Sequence, residues 1–127
     1  MNCFILNPEF IFYIGLALFL THQLDAIRCH EWRLLPGLRH LEDGKASRIL
    51  IVSHIPVLVI LLWFISYTNS MVQFWFQAIL DVMFMGHLGK HILWRNHENN
   101  EFNGPLSKIF ILFTALAGLF HLILLVV

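Results

Sequence analysis

An almost purely apolar run, Phe10 to Leu20, closes on Thr21-His22-Gln23-Leu24-Asp25-Ala26-Ile27-Arg28-Cys29-His30-Glu31-Trp32-Arg33. Such a run belongs in a buried core or in lipid, and composition decides between them. The chain is 58% hydrophobic and 13% charged, against roughly 25% charged in a soluble domain. Mean hydropathy is +0.73. A chain of 127 residues with that balance cannot cover its core with polar surface in water, so residues 1–127 read as one integral membrane domain. The 8 basic and 8 acidic residues cancel, which excludes nucleic acid as a partner. The expected partner is the lipid bilayer, and association with further copies of the chain stays open.

The helix ends are marked by local chemistry. Asn7-Pro8-Glu9 starts a helix: Asn caps, Pro fits the first helical position and Glu suits the dipole. That helix is expected over about 8–33, after a short apolar lead, Met1 to Leu6. Leu34 to Lys45, with Pro36-Gly37 and Gly44, is a loop. A second helix is expected over 46–67, with Pro56 kinking it or loosening its backbone bonding. Thr68-Asn69-Ser70 is a turn, a third helix covers 71–95, and 96–104 is an asparagine-rich loop. Pro105 opens a fourth helix, 105–127. The fold class is therefore all-α, a four-helix transmembrane bundle of up-down topology.

Sidedness follows from Arg28, Arg33, Arg39, Lys45, Arg48, Lys90, Arg95 and Lys108, which all fall at one face of the membrane. Basic residues mark the cytoplasmic side. Loops 34–45 and 96–104 are then cytoplasmic and both termini lie on the other side, in a bacterial inner membrane. Trp32 and Trp94 mark one interface, Tyr67 and Trp75 the other. The start of the chain lacks the basic region and cleavage pattern of a signal peptide. Cys3 and Cys29, if both lie on the first helix, are about 39 Å apart, beyond disulfide reach.

Turned at 100° per residue, each helix shows one polar face. His22, Asp25 and Cys29 fall within about 60° of one another. His54 shares a face with Ser47. Gln73, Gln77, Asp81, His87 and His91 fit inside an arc of about 120°. Thr114, Ala117, Gly118 and His121 form a narrow face suited to close packing. Counted inward from the cytoplasmic ends, Asp25, His54 and His87 lie roughly 12 Å deep, with His22 slightly deeper and His91 about one turn shallower. His22, Asp25, His54, His87 and His91 can thus converge on one layer and bind a metal. Asp81 and His121 form a deeper layer; Glu31 and His30 are further candidates for supporting roles.

Paired ligands at i,i+3 and i,i+4 on single helical faces are what carboxylate-bridged metal bundles use. Imidazole and carboxylate suit a divalent Zn, Fe or Mn ion. Such a site is compatible with a metal-dependent membrane hydrolase or oxidase acting on a lipophilic substrate. Two other readings stand beside it: a metal-free hydrogen-bond network in a structural or accessory subunit, and a proton or small-solute carrier along the Gln73–His91 stripe. No nucleophile motif, phosphate loop or dinucleotide fingerprint is present.

His22-x-x-Asp25, the histidine pair on the third helix and His121 on the fourth resemble the HxxEE-type family of small bacterial integral membrane proteins. That family's paired glutamates stand here as Asp25-Ala26. Its Asn-x-x-x-His is similar to His87-x-x-x-His91, and its His-x-x-x-Asn falls on His121 and Leu125. The string Cys29-His30-Glu31-Trp32-Arg33 looks more like a separate relative. The resemblance implies a polar intramembrane site, suspected of binding metal, and no particular reaction.

Overall fold

The computed structural model describes residues 7–127; the apolar lead and Cys3 lie outside them. Helix α1 spans Pro8–Arg28, α2 Asp43–Ile65, α3 Ser70–Leu93 and α4 Pro105–Val126. They are 21 to 24 residues long, roughly 32–36 Å at 1.5 Å per residue, enough for a hydrocarbon core of ~30 Å. By length and composition α1, α2 and α4 can each cross a membrane. The similarly long α3 differs in composition through its stripe of Gln73, Gln77, Asp81, His87 and His91.

The starts follow their capping residues. The Asn7 side chain accepts the Glu9 N–H at 3.0 Å. Asn69 caps α3, accepting from the N–H groups of Met71 and Val72. Pro105 sits in the first turn of α4. Helix α2 begins at Asp43, before the expected Ala46, and runs through Pro56 as one helix.

The end of α1 differs more. It stops at Arg28, short of the expected Arg33. His30 adopts a left-handed backbone, φ 51°, and Glu31–Arg33 continue as a 3-10 turn. This folds the polar string back under the bundle. Trp32 Nε1 donates to Asp43 at 2.9 Å, and Arg33 bridges Asp43 and Glu101. Buried Glu31 pairs with Lys90. A continued helix would carry these groups past their partners on α2, α3 and the last loop.

Three helices make the core. Asp25 meets Ser107 and Gly15 meets Ala117, so α1 and α4 are antiparallel. Phe12 meets Phe76 and Phe19 meets Phe84, so α1 and α3 are parallel. Phe84 is fully buried among them. Small residues permit the approach: a Cβ on Gly118 would lie 3.1 Å from both the Asp81 carbonyl oxygen and Phe84 Cβ. Helix α2 is peripheral. Only Ala46, Leu50 and Leu61 are buried on it, while Val52, Ile55, Val57, Val59, Leu62 and Trp63 are exposed. Its far end is held by Gln73 Nε2, 2.7–2.8 Å from the carbonyl oxygens of Phe64, Ile65 and Tyr67. That contact gives the outer end of the α3 stripe a packing role.

Candidate metal centre

The parallel run of α1 against α3 places His22 beside the last turns of α3. Its ring centroid lies 4.8 Å from that of His87 and 5.3 Å from that of His91. His87 and His91 stand one turn apart on a single face, their Nε2 atoms 3.1 Å from each other. One nitrogen from each of His22, His87 and His91 falls within a cluster no wider than 4.8 Å. His22 is fully buried, and neither of its ring nitrogens has a hydrogen-bond partner. No Asp, Glu or Cys joins these histidines among the described residues.

Phe102 closes the site from below. Its ring lies 4.6 Å from His91 and 5.5 Å from His22, and it is buried. The asparagines of the last loop hold it there. The Phe102 N–H donates to Asn100 Oδ1, and Asn100 Nδ2 donates to the Arg95 carbonyl. Phe102 was not apparent as a site residue from helical periodicity. Its signal was its solitude, one large apolar side chain in the polar segment 96–104.

The other sequence candidates sit elsewhere. Asp25 is buried, but its carboxylate turns towards α4: Oδ2 accepts from Ser107 at 2.5 Å, and Oδ1 accepts from Arg28 at 2.6 and 2.8 Å. A spacing of i,i+3 leaves Asp25 about 60° round the helix from His22, enough to direct one side chain to α3 and the other to α4. His54 is half-buried on α2, with Nδ1 2.7 Å from the Leu50 carbonyl oxygen and Nε2 3.3 Å from Gln23 Oε1. Glu31 pairs with Lys90, and His30 with Glu101 at 2.7 Å.

Asp81 and His121 form a second, separate buried pair, Nδ1 to Oδ2 at 2.6 Å. His121 also lies against Phe12, ring centroids 5.2 Å apart. Asp81 Oδ1, His121 Nε2 and Thr114 Oγ1 are buried without a hydrogen-bond partner.

Below the helices, the hydrogen bond to Asp43 holds the Arg33 guanidinium above its ordinary value. Burial pushes the Cys29 thiol up. The sulfur contacts Ser107 Oγ at 3.8 Å and does not join the histidine cluster.

Residues 8–127 match the model of a family of unknown function, DUF6713, and the chain belongs to that family. No curated protein and no solved structure matches it.

Proposed function

We propose that this member of a family of unknown function is an intramembrane metal-binding protein. His22, His87 and His91 are the ligands, and the ion serves hydrolysis or oxidation of a lipophilic substrate. One observation carries the reading: His22 is fully buried, has no partner on either nitrogen, and faces two further imidazoles. An unsatisfied buried polar atom costs about 1–3 kcal/mol, and a packing role offers nothing in return. A metal ion takes up the lone pairs.

The donor set fits. Tetrahedral Zn with Zn–N of about 2.0–2.1 Å separates its ligand nitrogens by about 3.4 Å. The 3.1 Å between His87 and His91 is near that spacing, and rotation of the rings within the cluster supplies the rest. Imidazoles suit Zn or Fe, whereas Mn prefers the carboxylate oxygens that this cluster lacks. Three protein ligands leave a fourth position open, as catalytic zinc sites do. When bound, such an ion would activate water by lowering its pKa.

The same reading puts loops 34–45 and 96–104 in the cytoplasm of a bacterial cell, both termini beyond the inner membrane, and kinship with HxxEE-type proteins. The basic residues gathered at one end of the bundle support the sidedness. One contact favours a metal-free network instead, the hydrogen bond between His87 and His91.

Elemental analysis of the detergent-purified chain separates the two. Near-stoichiometric Zn or Fe in the wild type, lost in His22→Ala and in His87→Ala, is the expected result. A well-folded wild type that takes up neither ion on reconstitution would leave the network as the better reading.

A further inference from the structure

His91 lines a cleft between α3 and α4, a cavity of about 260 Å³ that gives the triad an approach from that side. Its walls are apolar along Leu88, Ile92 and Leu112, and Arg95 and Lys108 stand at its rim. Arg95 lies one helical turn beyond His91. The cations flanking the three-helix core divide into two groups. Arg28, Arg33 and Lys90 each have an acidic partner. Arg95 and Lys108 have no ion pair among the described residues, and both are exposed.

A second observation points the same way. Of the buried acids nearby, Asp25 is committed to Arg28 and Ser107 and Glu31 to Lys90, and no carboxylate shares the histidine cluster. A divalent ion held by neutral imidazoles keeps its full charge in a buried place, which is costly without a counter-charge. An anion entering by the His91 side supplies it.

We propose that the α3–α4 cleft binds an amphiphile with an oxyanion head, held by Arg95 and Lys108, with its chain along Leu88, Ile92 and Leu112. Arg suits a phosphate or carboxylate head through its planar fork of donors, Lys through its point charge. The head then lies at the basic end of the bundle and the chain reaches back into lipid. The bond beside the head comes level with His91. The counter-ion role rests on the proposed metal centre; the charge-dependent binding does not.

The test titrates monododecyl phosphate into the full chain in dodecyl maltoside, metal-free and zinc-loaded, followed by native mass spectrometry or calorimetry. The uncharged detergent has the same chain, so the head alone is read out. Binding is expected to weaken at least about tenfold in Arg95→Gln/Lys108→Gln, in both metal states. Leu112→Trp, which fills the cleft, is expected to weaken it with the charges intact, and circular dichroism checks that each variant keeps its helices. Inorganic phosphate at equal concentration is expected not to displace the amphiphile. Unchanged binding in both variants, or displacement by phosphate alone, overturns the proposal. If the chain takes up no zinc but the Arg95/Lys108 dependence persists, the metal reading fails and the amphiphile site stands.

Discussion

Two clusters of buried histidine lie in the same three-helix core and are solved in opposite ways. At His121 the facing helix supplies an acid, and Asp81 takes up one ring nitrogen at 2.6 Å. At His22 the facing helix supplies two more imidazoles, and both nitrogens of His22 are left over. The first arrangement sets an acid directly against the imidazole, leaving Asp81 Oδ1, His121 Nε2 and Thr114 Oγ1 over. The second has open lone pairs and, through His91, an approach from outside. A buried histidine therefore reads as structural or as a ligand according to what the opposite helix brings to it, not according to its own burial.

The strongest way to break this comparison is to remove one member from each cluster. Asp81→Ala leaves His121 buried without its acid; a buried group left unsatisfied costs about 1–3 kcal/mol, more where it is charged, and the cavity left by the carboxylate adds to it. Its metal content is expected to stay at the wild-type level. His22→Phe keeps a planar aromatic ring and deletes both unpartnered nitrogens; the relief of those groups offsets the somewhat larger ring, so its metal-free stability is expected within about 1.5 kcal/mol of wild type, while metal uptake falls to background. Chemical unfolding in detergent beside elemental analysis reads both. If His22→Phe were the less stable and Asp81→Ala lost the metal, the roles assigned to the two clusters would be reversed.

The next effect is smaller and acts on the approach of the helices. A methyl group on Gly118 meets the Asp81 carbonyl and Phe84 at 3.1 Å, and backbone cannot move aside as a flexible side chain can. Gly118→Ala is expected to cost about 1–3 kcal/mol with metal stoichiometry unchanged. Loss of metal in that variant would mean that the two layers move as one unit.

These contrasts also mark what the sequence could and could not reveal. Asn7 and Pro105 announced where α1 and α4 begin, because each acts on its own first turn, and the Thr68-Asn69-Ser70 turn marked the start of α3 without revealing that Asn69 caps it. The pairing of His87 with His91 was likewise legible, being set by helical spacing alone. The end of α1 was not, since the left-handed turn at His30 serves partners on other elements, Lys90, Asp43 and Glu101. The direction taken by Asp25 was hidden too. Its partner Ser107 lies 82 residues away, and a helical wheel gives the angle of a side chain but not the chemistry waiting across from it. Depth counting placed Asp25 and His54 level with the triad without fixing which helix each would face.

The smallest expected effect sharpens the comparison at its margin. His54 has the residue type and depth of a ligand, yet it sits on peripheral α2, with its nitrogens next to the Leu50 carbonyl and Gln23. Both nitrogens are thereby occupied, which is the opposite of His22. His54→Ala is expected to cost about 1 kcal/mol, the worth of a hydrogen bond, and to change zinc affinity less than about twofold. A competition titration with a chromophoric chelator, run beside His91→Ala as the positive control, measures this directly. A large fall in affinity would show α2 swinging inward to complete the coordination, with His54 as the fourth ligand. An unchanged affinity keeps that position free for water or substrate, which is what separates a site built for chemistry from one built to be closed.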